Sequence, residues 1–285
     1  MKRVTFESKQ TQSNLERQEY QNTVVWMLHR VGIDLVAFSL SPKCTKAELQ
    51  QIKVATALIV SACSTAEAAA KFNQELSILT KHSLLLARTF YETCLNAAYA
   101  LTDAGQIAER AEMYSAYRFF KDQSQVIKTE SKTQVLHFEP RVKRNDAFVK
   151  RAIEYFENGN GKKRKKCFQD DRSGMIAKIG DVSKSAQILF HGAETAGYQF
   201  ASEISHGSLY AHQKSNEGHV YGWEPEGISF LTTSLIIHSS EALARVIAEK
   251  FPTLENAKHL ISTAGLYYQV EAPELSSELS DFYAN

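Results

Sequence analysis

Glycine and proline are scarce in this sequence, and no long stretch alternates between apolar and polar residues. Among 285 residues there are 13 Gly and 5 Pro. Both residue types interrupt helices, and strict alternation is the pattern of a half-buried strand. Their scarcity argues against a turn-rich β fold. Alanine, leucine, glutamate, lysine and glutamine are plentiful instead, and this composition favours helices throughout.

Net charge and cysteine motifs are also nearly absent. The formal net charge is +1, so the global charge gives no indication for or against nucleic acid. The sequence has no Cys-x-x-Cys pair and no Cys/His cluster with zinc spacing. The four cysteines are Cys44, Cys63, Cys94 and Cys167. We therefore expect free thiols in a reducing compartment, and we expect neither a metal nor a cofactor.

Long apolar segments are missing as well. The first 14 residues are polar and lack the apolar centre of a signal peptide. The longest apolar runs, 54–62 and 228–237, are shorter than the roughly 18 residues that a membrane span needs. We expect a cytoplasmic protein that does not engage a membrane.

Capping residues predict where the helices begin. Ser13 with Glu16, and Thr45 with Glu48, have capping-box spacing, and Gly32 is a predicted helix end. Further helices are predicted over 75–101, 106–125, 145–157, 176–180, 182–190, 192–212, 227–251 and 254–266. The expected fold class is all-α, an up-down helical bundle with additional packed helices.

The chain is predicted to form one helical domain, 1–285, with three flexible parts. These are about 12 residues at the N-terminus, a loop at 158–167 and a weakly ordered tail at 270–285. The loop joins glycine and asparagine to a basic run, which is either solvated or in contact with phosphates.

The helix predicted over 75–101 carries a polar stripe on an otherwise apolar surface. Arg88, Glu92 and Asn96 are four residues apart and share one face. Few other charges occur on this helix, so its remaining sides are expected to be buried. Arg88 and Glu92 either form a structural ion pair, or Arg88 binds an anion that Glu92 helps to orient.

A second stripe follows about a hundred residues later. Tyr198, Ser202 and His206 are also four residues apart, and Gly207 allows close approach to the backbone there. Histidine titrates near neutrality and can act as an acid or base, although a single helical histidine is more often structural. Because buried polar groups need partners, we predict that the two stripes face each other across a groove.

A third polar face lies on the helix predicted over 106–125. Arg110, Tyr114 and Arg118 are four residues apart on it and could stack on and neutralise a nucleic acid strand. Glu109 and Glu112 are interleaved with them, which also fits a solvated amphipathic surface.

Two segments resemble a bacterial family of unknown function, DUF5677. They are LLLARTFYETCLNAAYALTD at 84–103 and YQFASEISHGS at 198–208. In that family an Arg-x-x-x-Glu helix is followed by a Tyr-x-x-x-Ser-x-x-x-His-Gly-Ser helix. The resemblance covers roughly 77–208 and implies an all-helical fold similar in style to HEPN domains. Many HEPN proteins are dimeric ribonucleases of toxin–antitoxin and phage-defence systems.

The resemblance implies a metal-independent ribonuclease effector of bacterial defence. His206 would act as acid or base on the ribose 2′-hydroxyl, and Arg88 would stabilise the phosphate. Glu92 would orient these two groups as a third catalytic residue. Substrate binding would fall to Asn96, Tyr198, Ser202, Arg110, Tyr114 and Arg118.

The sequence leaves the catalytic arrangement, the partners and the function open. HEPN enzymes carry their arginine and histidine on one helix, whereas here Arg88 and His206 would have to meet from different helices. The implied partners are RNA, a second copy of the chain and a protein encoded nearby. The alternative function is a non-catalytic helical module that binds a protein partner or a nucleotide ligand through the same groove, and pure scaffolding is a third possibility.

Overall fold

Helices account for almost all of the structure. The computed structural model describes residues 4–76, 80–129, 132–138, 143, 146–157, 166–205 and 225–271. The helices are α1 (Val4–Ser39), α2 (Lys46–Asn73), α3 (Lys81–Ala100), α4 (Gln106–Lys121), α5 (Ala147–Glu157), α6 (Arg172–Val182), α7 (Lys184–Ala193), α8 (Gln199–Ser205), α9 (Pro225–Lys250) and α10 (Glu255–Glu271). One π-helical turn, Glu194–Tyr198, joins α7 to α8. The all-α prediction is confirmed.

The chain divides into two compact units. The first comprises Met1–Thr102 and Arg172–Asn285, and the second comprises Asp103–Asp171. Helices α1–α3 and α6–α10 belong to the first unit, while α4, a small hairpin and α5 belong to the second. That the whole chain is one domain stays a prediction. Residues 270–271 of the predicted flexible tail belong to α10. Residues 272–285 fall outside the described residues, as do residues 158–165 of the predicted loop.

One of the two predicted capping boxes is confirmed. The Thr45 side chain accepts a hydrogen bond from the Glu48 amide, and the Glu48 carboxylate accepts one from the Thr45 amide at 2.8 Å. The other prediction is wrong, because α1 begins at Val4 and Ser13 lies inside it. Gly32 also lies inside α1 rather than at its end. A Cβ there would lie 3.2 Å from Ile59, so the missing side chain allows α1 and α2 to pack closely.

The first three helices of the first unit run up and down. Helix α2 begins beside the end of α3, where Gln51 Nε2 donates to the Ala100 carbonyl at 3.4 Å. It ends beside the N-terminal part of α1, where Asn14 Nδ2 donates to the Asn73 carbonyl at 2.9 Å. The connections are short, as antiparallel neighbours require.

Helix α9 is the central helix of the first unit and runs parallel to α3. The hydroxyls of Ser83 and Thr232 are 2.9 Å apart near the start of both helices, and Lys250 Nζ donates to the Leu101 carbonyl near their ends. Most of the middle of α9 is buried. Residues 101–224 separate these two helices in the sequence.

Helix α2 is apolar as well as long. Among the described helices it alone has the length and composition that a membrane span needs, but core helices of soluble proteins also pass this test. It packs against α1 and α3 through a series of alanines that are at most 8% exposed. They are Ala55, Ala62, Ala66, Ala69 and Ala70. The cytoplasmic location stays a prediction.

The second unit contains a helical pair and a hairpin. Helices α4 and α5 pack around Met113, Ala152 and Phe156. Strands β1 (Ser124–Lys128) and β2 (Thr133–His137) pair antiparallel. The hairpin lies largely between the helices predicted over 106–125 and 145–157, where no element was predicted from the sequence.

Candidate functional site

Helices α3 and α8 bring the two polar stripes together in the first unit. Leu84 of α3 packs with Ala201 of α8 and Ile228 of α9 in one apolar cluster. Arg88 lies one turn after Leu84, so its side chain extends beside α8. There Arg88 Nη1 donates to the hydroxyl of Ser205.

The Tyr198 hydroxyl is the centre of the site. It donates to Glu92 Oε1 at 2.5 Å and accepts from Arg172 Nη1 at 2.8 Å. Arg172 Nε in turn lies 3.0 Å from Glu194 Oε1, and Arg88 Nε lies 3.4 Å from Glu92 Oε1. We call these five residues the tyrosine hub. The two stripes therefore meet directly, through hydrogen bonds between side chains of different helices.

Both arginines also contact the ring of Tyr198. The guanidinium carbon of Arg172 lies 4.3 Å from the ring centroid, and that of Arg88 lies 4.9 Å from it. Cation–π contacts of this kind stabilise by about 0.5–2 kcal/mol. Two guanidinium groups therefore lie close together on one ring. Their ion pairs with Glu92 and Glu194 offset the repulsion between the two positive charges.

Buried aromatic rings support the hub from the core side. Tyr198 is 2% exposed, and its ring centroid is 5.1 Å from that of the fully buried Tyr91. Tyr91 in turn packs against Phe190 of α7 at 5.9 Å. Burial raises the pKa of the Tyr91 hydroxyl well above its ordinary value. The ring of Tyr198 is thereby fixed, and its hydroxyl is directed at the polar residues.

Burial and hydrogen bonding shift the pKa of two hub residues, Tyr198 and Arg172. The pKa of Tyr198 is raised, first by burial and then by its hydrogen bond to Glu92. Burial alone would lower the pKa of Arg172, but its hydrogen bond to Glu194 and the charges around it outweigh that effect and raise the pKa. Tyr198 is therefore a neutral hydroxyl at pH 7, and Arg172 is a permanent cation.

One side of the hub is open to solvent. The side chains of Glu92 and Arg172 are 41% and 44% exposed, whereas those of Arg88 and Glu194 are 21% exposed. Two arginines face two glutamates, so the hub carries no net charge. An entering ligand would find both donors and acceptors within one small area.

The π-helical turn lies directly at this site. It ends at Tyr198 and begins at Glu194, so it positions both residues. Single π-helical turns occur frequently at functional sites. Gly197 lies within this turn, and a Cβ there would come within 3.3 Å of the Leu235 side chain. The turn therefore packs closely against α9.

The predicted site residues have different outcomes. Arg88, Glu92 and Tyr198 are in direct contact, and Ser202 lies on the same helix as Ser205, its carbonyl accepting from the Ser205 hydroxyl at 2.7 Å. None of the hydrogen bonds within the tyrosine hub involves the half-buried Asn96. His206, the predicted catalytic histidine, lies outside the described residues.

Three contributors were not predicted from the sequence: Arg172, Glu194 and Ser205. Glu194 precedes Tyr198 by four residues, so extending the second stripe by one turn would have found it. Ser205 is one residue before His206 and is reached by Arg88. No local pattern connects Arg172 to the others, because it joins them only through the tertiary fold.

The third polar face belongs to the second unit and has a structural explanation there. Arg110 is 8% exposed and donates to the carbonyls of Cys167 and Lys166 and to the hydroxyl of Tyr155, at 2.6–2.9 Å. The ring of Tyr114 packs on Phe156. The nitrogens of Arg110 are thus occupied within the unit.

Arg118 is the exception on that face. Its side chain is 54% exposed and pairs only loosely with Asp122, at 3.2 Å. Of the three residues, it is the one whose charge remains open to solvent. Nucleic acid binding by this face stays a prediction.

Comparison with known families identifies one match. The profile of DUF5677, a family of unknown function, matches residues 53–219, which is more than half of the chain. The chain belongs to the DUF5677 family. The matched segment contains α3 and α8, so both stripes lie within the DUF5677 region. No curated protein and no solved structure matches the chain.

Proposed function

We propose that this DUF5677 protein is a ribonuclease effector whose site is the tyrosine hub together with His206. The observation that supports the proposal is the contact between Arg88 and Ser205. His206 follows Ser205 directly, and consecutive Cα atoms are about 3.8 Å apart. The guanidinium of Arg88 therefore binds the residue that directly precedes the only histidine of the second stripe in the sequence.

In the proposed reaction, a phosphate oxygen of RNA takes the place of the Ser205 hydroxyl on Arg88. His206 accepts the proton of the ribose 2′-hydroxyl, and the 2′-oxygen attacks the phosphorus. The bond to the 5′-oxygen breaks, which leaves a 2′,3′-cyclic phosphate and a 5′-hydroxyl that takes its proton from solvent. Arg88 stabilises the charge that develops on the phosphate oxygens.

The remaining hub residues position these groups. Glu92 and Tyr198 hold Arg88 through an ion pair and a ring contact. Ser202 precedes His206 by four residues in the sequence. Arg172 supplies a second guanidinium with a side chain that is 44% exposed. Two guanidiniums close to one hydroxyl resemble the donor arrangement that binds phosphate groups.

The test measures RNA cleavage in the presence of a chelator. Wild type is expected to cleave, and His206→Ala to lose at least about 100-fold in rate, because acid–base catalysis contributes roughly 10²- to 10⁴-fold. His259→Ala changes an exposed histidine of α10 and is the matched control. Unfolding midpoints of all variants are measured alongside. Equal cleavage by wild type and His206→Ala at equal stability would remove His206 from the mechanism.

A second substrate isolates the chemistry. An RNA with a single 2′-deoxy substitution at the cleavage position has no nucleophile for the proposed step. Cleavage at that position should therefore stop, while cleavage at neighbouring positions continues. Continued cleavage at the substituted position would rule out attack by the 2′-oxygen.

The charge balance of the hub favours a second candidate function, a non-catalytic module that binds a nucleotide ligand. Each arginine already has a carboxylate partner, so the hub offers donors and acceptors rather than net positive charge. In this case wild type and His206→Ala bind a nucleotide equally and neither cleaves RNA. Arg172→Gln would weaken that binding by removing an exposed donor.

A further inference from the structure

Helix α1 exposes large apolar side chains on the face that is turned away from the bundle. Leu15, Trp26 and Ile33 are 50%, 61% and 43% exposed. They are separated by 11 and 7 residues, which are close to whole numbers of helical turns. The three side chains therefore form one stripe rather than isolated exposed residues.

The polar residues of the same stripe are arranged by charge. Glu19 is exposed in the N-terminal half, whereas His29 and Arg30 are exposed further along. Asn22 is exposed one helical turn before Trp26. The stripe is thus acidic before its midpoint and basic after it.

This arrangement is symmetric about position 24. Leu15 and Ile33 lie nine residues on either side of that position, and Glu19 and His29 lie five residues on either side. Apolar positions thus mirror each other, and an acidic position mirrors a basic one. A sequence with this symmetry complements a reversed copy of itself.

We propose that α1 packs antiparallel against α1 of a second copy of the chain, with a twofold axis near position 24. Leu15 then meets Ile33 of the partner subunit, and Glu19 meets His29 of the partner subunit. Trp26 lies near the axis, opposite Asn22 of the partner subunit. Each contact occurs twice, as a twofold interface requires.

The size of the surface indicates a dissociable dimer. The segment from Leu15 to Ile33 spans about 27 Å along the helix axis. Its exposed side chains would bury on the order of 1,000 Å² in total, the lower limit for a specific interface. We therefore expect a dimer that dissociates measurably on dilution rather than an obligate one.

A second copy explains the stripe better than a different protein would. A different partner would need apolar positions facing Leu15 and Ile33, but it would not require the two halves of α1 to carry opposite charges at matched distances. Self-association requires that reversal, because like charges would otherwise face each other across the axis.

The first experiment measures the mass of the full chain by sedimentation over a dilution series. Wild type is expected to form a dimer that dissociates on dilution, and Ile33→Glu to raise the dissociation constant at least about tenfold. Val60→Glu places the same charge on α2 at a site that is 52% exposed and should leave the dimer unchanged. A wild type that is monomeric throughout, or a dimer unaffected by Ile33→Glu, would overturn the proposal.

A charge exchange tests the register. His29→Glu places two carboxylates opposite each other, and Glu19→Lys places an ammonium beside His29 of the partner subunit and Arg30 of the partner subunit. Each single variant should therefore weaken the dimer. The double variant restores opposite charges and should recover dimerisation. If the double variant dissociates as readily as the more weakly dimerising single variant, the antiparallel register about position 24 is wrong. Circular dichroism of each variant shows whether the helix is intact.

Discussion

Tyr198→Phe removes a single oxygen atom from the centre of the tyrosine hub. That oxygen joins Glu92 of α3 to Arg172 of α6, at 2.5 Å and 2.8 Å. Hydrogen bonds to charged groups contribute about 1.5–3 kcal/mol each when both partners are buried. Here Glu92 and Arg172 are 41% and 44% exposed, so water replaces part of the loss. We expect the free energy of unfolding to fall by about 2 kcal/mol.

Urea unfolding is the assay, and Tyr91→Phe is the control. Tyr91 is fully buried beside Tyr198, and its hydroxyl makes one hydrogen bond to the Phe190 carbonyl at 3.5 Å. Removing that hydroxyl should cost at most about 1 kcal/mol, because the bond is long and uncharged. The midpoint should shift in both variants without a change of slope. A cost for Tyr198→Phe no larger than that for Tyr91→Phe would mean that the Tyr198 hydroxyl contributes no charged hydrogen bonds to stability.

Two further predictions concern packing outside the hydroxyl of Tyr198. Arg110→Ala removes three hydrogen bonds and two cation–π contacts, so it should destabilise the second unit by about 3 kcal/mol. This loss should be measurable as faster amide hydrogen exchange in α4 and α5. The control variant Arg118→Ala changes an exposed side chain and should alter stability by no more than about 0.5 kcal/mol. Gly197→Ala forces a Cβ to within 3.3 Å of Leu235 and should lower the unfolding midpoint, whereas Gly192→Ala, with no atom within 4 Å, should raise stability by about 0.5–1 kcal/mol. If Gly197→Ala leaves the unfolding midpoint unchanged, the Leu235 side chain can move to accommodate the added methyl group without a loss of stability.

Much of the fold could be predicted because local signals and tertiary packing agree. The capping box at Thr45 is both a sequence motif and the observed start of α2. The matching motif at Ser13 failed because no glycine or proline interrupts the preceding residues, so α1 extends back to Val4. Gly32 failed as a helix end for a tertiary reason, since its missing side chain is needed for the close approach of Ile59.

The meeting of the two stripes was predictable from the cost of burying polar groups. Tyr198 is 2% exposed, so its hydroxyl had to find partners, and it found Glu92 of the other stripe. Asn96 shares the stripe but takes no part in the hub's hydrogen bonds, because a helical face is wider than the contact that one tyrosine makes. Same-face spacing thus predicts the direction of a side chain but not its partner.

What could not be predicted depends on the tertiary fold. Arg172 joins the hub from a helix whose start carried no periodic signal, and only the packing of α6 brings it to Tyr198. The structural role of Arg110 could not be predicted, because its partners Tyr155 and Cys167 lie 45 and 57 residues away in sequence. Contacts between residues so far apart in sequence produce no local spacing pattern.

A double-mutant cycle between Glu92→Gln on α3 and Tyr198→Phe, measured by urea unfolding, tests most directly whether the two stripes form one site. We expect the two substitutions to be coupled by about 1 kcal/mol or more, since Tyr198→Phe removes the hydrogen bond to Glu92 and Glu92→Gln removes the charge that strengthens it. Additive losses, with a coupling energy indistinguishable from zero, would contradict it.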